Sequence, residues 1–174
     1  MRCDPATLCN NTRLALLQQP LGLELPLIAR RLQDLLANAE FVAASFDDDL
    51  PAGKRLPYRE AATDLRVLAH VQLAGKGGAP HDHAASWAVY GNARGRTDMT
   101  ETRRVNDAQQ DHAVLAPQPP YSLHSGQARA YSSGTVHATA HSEKAWVIRI
   151  TGTDLDEIPR YRFREAVDTL LEAP

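Results

Sequence analysis

The chain has 174 residues and a formal net charge of −2, with its basic residues scattered along it. That length fits one domain with a sizeable core, and the charge leaves no broad basic footprint for DNA or RNA. The two cysteines, Cys3 and Cys9, lack Cys-x-x-Cys spacing, which speaks against a disulfide framework or a structural zinc site and favours a reducing, cytoplasmic setting.

At the N-terminus, Asp4, Pro5, Asn10 and Asn11 precede any leucine run, so no export signal is expected. The leucine-rich stretch 14–36 is interrupted by Gln18, Gln19, Pro20, Arg30 and Arg31. No apolar run long enough to cross a bilayer remains, and a soluble protein with no membrane partner is expected. Residues 1–46 read as a helical region. Asn11 is placed to cap a helix over 12–19, and Leu25, Ile28, Leu32, Leu35 and Leu36 recur at helical spacing. Such a stripe is suited to packing on the outside of a sheet.

After Asp47-Asp48-Asp49 and the Pro51-Ala52-Gly53 break, the period becomes alternating. Leu65, Val67, Ala69, Val71 and Leu73 alternate with Arg66, Leu68, His70 and Gln72, the pattern of a strand with one buried face. Further strands are predicted over 58–63, 86–92, 98–104, 112–115, 128–131, 136–141 and 145–151. Turn formers separate most of them. At the C-terminal end, 161–163 reads as a strand and 165–171 as a closing helix. Residues 47–174 therefore form the second region of a single domain, an all-β sandwich or barrel.

Within this region, His81-Asp82-His83 follows Gly75 and precedes Gly95. Two imidazoles one residue apart on a strand point to the same face, which offers a metal two ligands at once. Gly126, Ser132, Gly134 and His137 form a second glycine-bounded segment. Together the segments resemble the paired motifs of the cupin superfamily, which implies a double-stranded β-helix (jelly-roll) barrel carrying an N-terminal helical appendage. The resemblance makes His81, His83 and His137 the metal ligands. The acid of the superfamily motif is missing, because Trp87 and Ala88 occupy the two positions where it would stand, while Ser132 and His141 replace a usual proline and asparagine. His141 is either a hydrogen-bond donor near the site or a surface residue. Three neutral imidazoles leave a divalent ion its full charge and up to three open positions.

The run Pro80-His81-Asp82-His83-Ala84-Ala85-Ser86-Trp87-Ala88 resembles most closely the cysteine dioxygenase group of thiol dioxygenases, over about 58–155. That resemblance implies Fe(II), with zinc, nickel or another divalent metal left open by the ligand type. It implies a small-molecule substrate and O2 as partners, and a homodimer is left open. It also makes Arg59 a carboxylate clamp, against the simpler reading of a salt bridge to Glu60 or Asp64. The family's Ser, His and Tyr on a late strand are replaced here by Val147, Arg149 and Thr151. Arg149 is then either a second cationic anchor or the partner of a buried acid such as Glu101. Tyr131 is a further candidate for the pocket. Trp87 and Tyr90 fall on opposite faces of one strand, Trp87 as packing. Three functions stay in view: a thiol dioxygenase, a dioxygenase cleaving C–C bonds of diketone-like substrates, and a cupin that binds a metal or metabolite without turnover.

Overall fold

The computed structural model describes residues 5–18, 24–46, 49–61, 63–106, 114–159, 161–164 and 167–172. Among these residues the first elements are the helices α1 (Pro5–Gln18), α2 (Glu24–Leu36) and α3 (Ala39–Ser45). Helix α1 runs straight through Asn11, so the cap expected there does not form. Its described span begins at Pro5, upstream of that position. The capping asparagine is Asn38, whose side chain accepts from the amides of Glu40 and Phe41 at the start of α3.

The strands described after them, before the last hairpin, are β1 (Gly53–Arg59), β2 (Arg66–Gln72), β3 (Lys76–Gly77), β4 (Ala88–Arg94), β5 (Thr97–Arg104), β6 (Leu115–Pro117), β7 (Tyr121–Leu123), β8 (Ala128–Tyr131), β9 (Val136–His141) and β10 (Ala145–Thr151). One antiparallel sheet has the order β1-β2-β10-β4-β8. The other has the order β3-β9-β5-β6, with β7 also paired to β5. Along the chain the path passes between sheets at β2 to β3, β3 to β4, β4 to β5, β7 to β8, β8 to β9 and β9 to β10. This winding makes the fold an all-β double-stranded β-helix with a helical appendage.

The strand predicted over 58–63 lies earlier, over Gly53–Arg59, because β1 is an edge strand and tolerates Pro57. Glu60 and Leu65 are joined by a backbone hydrogen bond, Asp64 donates its amide to the Glu60 carbonyl, and Asp64 has φ +58°. Of the strand predicted over 112–115, residues 112 and 113 lie outside the described residues, and β6 takes up Leu115. The closing helix predicted over 165–171 is replaced, where described, by β12 (Val167–Glu172), antiparallel to β11 (Tyr161–Arg164). Val167 and Thr169 are β-branched and favour the extended form.

The main apolar core lies outside the sandwich. Leu25, Ile28, Leu32 and Leu35 of α2 pack against Val67, Ala69, Val89, Ile148 and Ile150 from one face of the β1-β2-β10-β4-β8 sheet, the larger of the two in residues although each has five strands. Helix α2 lies over β4 and β8, so close that a Cβ on Gly91 would stand 2.7 Å from Leu36 and 2.8 Å from Leu32. A second cluster, Met99, Leu123 and Tyr131, sits between the sheets. Gly95, at φ +73°, carries the chain from β4 to β5 where a Cβ would meet the Lys144 carbonyl at 2.4 Å. Among the described residues no helix is long and apolar enough to cross a membrane.

Candidate metal centre

His81 and His137 are joined by backbone before their side chains are considered. The amide of His81 donates to the His137 carbonyl at 3.0 Å and that of His137 to the His81 carbonyl at 2.9 Å, so the two rings stand side by side with centroids 4.8 Å apart. His83 follows on the same run, its ring 4.8 Å from His137 and 5.6 Å from His81. Past His83 the chain reverses. Asp82 accepts the Ala84 amide at 3.1 Å, Ala84 takes φ +49°, and the turn is tied to Ser133 and Gly134 through the carbonyls of Ala85 and Ala84. Asp82 thus shapes the turn.

One nitrogen from each of the three rings lies within 4.8 Å of the other two. An ion about 2.1 Å from each nitrogen needs them closer still. The ring Nδ1 atoms of His81 and His137 face the carbonyls of Ala79 (3.0 Å) and Thr135 (3.3 Å), contacts that fix the tautomer with the lone pair on Nε2. Nε2 of His137 is buried with no hydrogen-bond partner among the described residues. Burial, reinforced by the neighbouring His81 and by Arg149, pushes the His137 pKa down to about 3 although the Thr135 carbonyl opposes the shift. The ring is neutral at pH 7, the state a metal requires. The three histidines can hold a divalent metal.

Beside them opens a cavity of about 170 Å³, lined from the larger sheet by His70, Gln72, Tyr90, Val147 and Arg149, and from the other side by His81, Thr97, Thr139 and His141. No carboxylate is among these lining residues. Arg149 comes from the middle of β10, directly across from Leu68 on one side and Tyr90 on the other. Its Nε is buried and has no hydrogen-bond partner among the described residues, and the same holds for Nε2 of His70. Burial first, then the charge of Arg149 and that of Lys54, pushes His70 down to about 3.

His141 lines the cavity and is buried, but it stands apart from the three-ring cluster, its Nδ1 3.4 Å from the Thr97 hydroxyl. Burial lowers its pKa. Arg59 lies apart from the cavity lining. It pairs in register with Arg66 at the end of the sheet, its side chain is 55 % exposed, and it donates to Asp64 at 2.6 Å. Asp64 in turn binds Arg66, the Thr153 hydroxyl and the Asp154 amide. Arg59 is a surface brace for that cluster. Glu101 is likewise engaged elsewhere, by Arg129 at 2.9 Å and by the Tyr121 hydroxyl at 2.7 Å, so it does not neutralise Arg149.

Two aromatic residues join the site. Tyr90 brings its hydroxyl to 3.2 Å from Nε2 of His83. Tyr131 is buried, stacks on His137 with centroids 4.7 Å apart, and shares a 2.6 Å hydrogen bond with Tyr121. Burial raises the pKa of both Tyr121 and Tyr131, so these phenols are protonated at neutral pH. The signal for Tyr90 lay in alternation: Val89 and Gly91 lie under α2, which leaves Tyr90 for the opposite face. Trp87, by contrast, packs against the outer core.

No protein-family model matches the chain, and no curated protein matches it. Solved structures do. A cupin superfamily protein from Desulfitobacterium hafniense DCB-2 aligns at 9% identity and TM-score 0.45, over 65% of this chain and 87% of its own. KdgF from Halomonas sp. aligns at 14% identity and TM-score 0.45, over 65% and 89%. An uncharacterized protein with a double-stranded β-helix domain from Klebsiella pneumoniae subsp. pneumoniae MGH 78578 aligns at 14% identity and TM-score 0.44, over 70% and 87%.

Proposed function

We propose that this chain is a mononuclear non-haem Fe(II) dioxygenase that converts a small carboxylated thiol to a sulfinate. The observation that carries the reading is a cluster of three imidazoles, with no carboxylate among them, one of which, His81, lines a small cavity that also holds Arg149 and neutral side chains. A ferrous ion there would supply one centre at which a thiolate and dioxygen meet, and a neutral ligand set leaves it the positive charge that attracts a thiolate. The remaining tasks belong to the protein. His81 and His137 are kept in one tautomer by backbone carbonyls. The cavity admits a small molecule and holds it against the cluster, and such proximity carries much of the catalysis. The overall reaction balances with one thiolate and one O2 giving one sulfinate.

The test is oxygen consumption by protein reconstituted anaerobically with Fe(II), run against thiol acids and against enolisable diketones. One O2 consumed per thiol, with a product two oxygen atoms heavier, is expected. Turnover of diketones alone overturns the thiol reading in favour of C–C cleavage. A second reading, binding without turnover, draws on β10, which presents Val147, Arg149 and Thr151 where thiol dioxygenases place their Ser, His and Tyr. Tight ligand binding without oxygen uptake across both panels decides for it.

A further inference from the structure

We propose that Arg149 and Tyr90 together form the seat for the substrate's carboxylate, a role that rests on the thiol-acid reading above. The sheet register makes the two residues direct cross-strand neighbours on β10 and β4, and both line the cavity beside His81. The Nε of Arg149 is buried with no hydrogen-bond partner among the described residues, and no acid lines the cavity to balance the guanidinium's charge, so this side chain offers a donor and a positive charge that a carboxylate would satisfy. Arginine's planar fork binds a carboxylate through parallel hydrogen bonds, which fixes orientation as well as charge.

Tyr90 completes the seat through its contact with His83. If Nε2 of His83 takes a metal, the Tyr90 hydroxyl loses that acceptor and its proton turns to another. If Nδ1 takes the metal, Nε2–H donates to the Tyr90 oxygen and the phenol proton is again available. Either way, loading the histidines frees one O–H donor on a residue that lines the cavity and pairs with Arg149. One carboxylate oxygen sits on the guanidinium and the other accepts from Tyr90, which places the rest of a short substrate toward His83. Neutral His70, with its own unpartnered Nε2 on the same wall, adds a polar contact without a competing charge.

The experiment uses zinc-loaded protein, which binds without turnover, and calorimetric titration with mercaptoacetate, 2-mercaptoethanol and acetate. The two thiols match in length and differ in the carboxylate. Wild-type protein is expected to prefer mercaptoacetate by about 10- to 100-fold, the range of a hydrogen-bonded charge. Arg149→Gln should erase that preference while leaving 2-mercaptoethanol binding unchanged, which also reports that the fold is intact. Tyr90→Phe should reduce it by about 5-fold, and Arg149→Lys should keep only part of it, because lysine has charge without the fork. Should Arg149→Gln fail to fold, the Arg149→Lys and Tyr90→Phe titrations decide.

An unchanged preference in these variants overturns the seat. So does a wild-type protein that binds 2-mercaptoethanol as well as mercaptoacetate, although the thiol reading survives. Wild-type binding of acetate as tight as that of mercaptoacetate, with none of 2-mercaptoethanol, both weakened in Arg149→Gln and in Tyr90→Phe, upholds the seat and sinks the thiol reading.

Discussion

The two faces of the larger sheet have opposite chemistry although the same strands make both. Toward the helices, β2 and β10 present Val67, Ala69, Ile148 and Ile150, all within the apolar core. Toward the cavity they present His70, Gln72, Val147 and Arg149. Burial of apolar area is the main source of stability, and here most of it is placed where no chemistry occurs. The inner face is thereby released to carry unpartnered polar atoms that a stability-optimised core would exclude. The helical appendage is what permits this division, since without it the outer face of the sheet would be exposed.

The sharpest way to break the comparison is to change one face and measure both properties. His137→Ala, on the inner side, should abolish stoichiometric metal binding, with affinity falling by at least about 100-fold, while far-ultraviolet circular dichroism stays that of the wild type. Elemental analysis after dialysis reads the result, and full retention of metal shows that the ligands are other residues. Leu32→Ala, on the outer side, should do the reverse. Leu32 is fully buried and packs against Gly91, so its truncation should cost about 2–5 kcal/mol in urea unfolding with metal content unchanged. A Leu32→Ala protein that is folded yet cannot bind metal would mean the faces are not independent.

The effect of pH comes next in size. His70 has a folded pKa of about 3 against 6.5 for the ordinary imidazole, chiefly through burial. Below pH 6.5 the unfolded chain gains a proton that the folded one refuses, so stability is complete above that pH and falls progressively as pH drops toward 3. Metal-free protein should therefore unfold at lower urea concentration at pH 4.5 than at pH 7.5. His70→Gln should flatten that slope in part, because His137 titrates with the same sign. An identical slope in the variant would show that His70 is already solvated.

How far the sequence reached depended on whether a feature was local. The His-x-His run, its bounding glycines and the α2 stripe lie within a few residues of one another and follow from strand and helix periods. Gly75, Gly95, Gly126 and Gly134 do adopt positive φ, as turn glycines should. The wall facing the histidines was not legible in this way. That Tyr90 stands opposite Arg149 depends on the pairing of β4 with β10, and that Tyr131 stacks on His137 depends on two strands in different sheets. Alternation along 145–151 places Arg149 on the face opposite Ile148 and Ile150, but it does not name the neighbour. In the tail the apolar spacing suits either period, so it does not separate a helix from a strand.

Arg59 gives the smallest predicted effect and the most exact test of that limit. Its register with Arg66 gives it the same parity as the cavity residues, so alternation alone would aim it inward. Position along the strand decides otherwise: Arg66 and Thr151 are its row partners at the sheet's end, two residues beyond the row of Leu68, Arg149 and Tyr90. There Arg59 holds Asp64, whose carboxyl is kept down at about 2 mainly by that hydrogen bond, while Arg66 and Thr153 also bind Asp64. Arg59→Ala should thus shift the melting temperature by less than about 2 °C, as expected for an exposed ion pair, and leave binding of mercaptoacetate to the zinc-loaded protein unchanged. A loss of carboxylate preference in Arg59→Ala equal to that in Arg149→Gln would return the anchor to β1, and would mean that the sheet's end reaches the ligand in a way its present ion pair conceals.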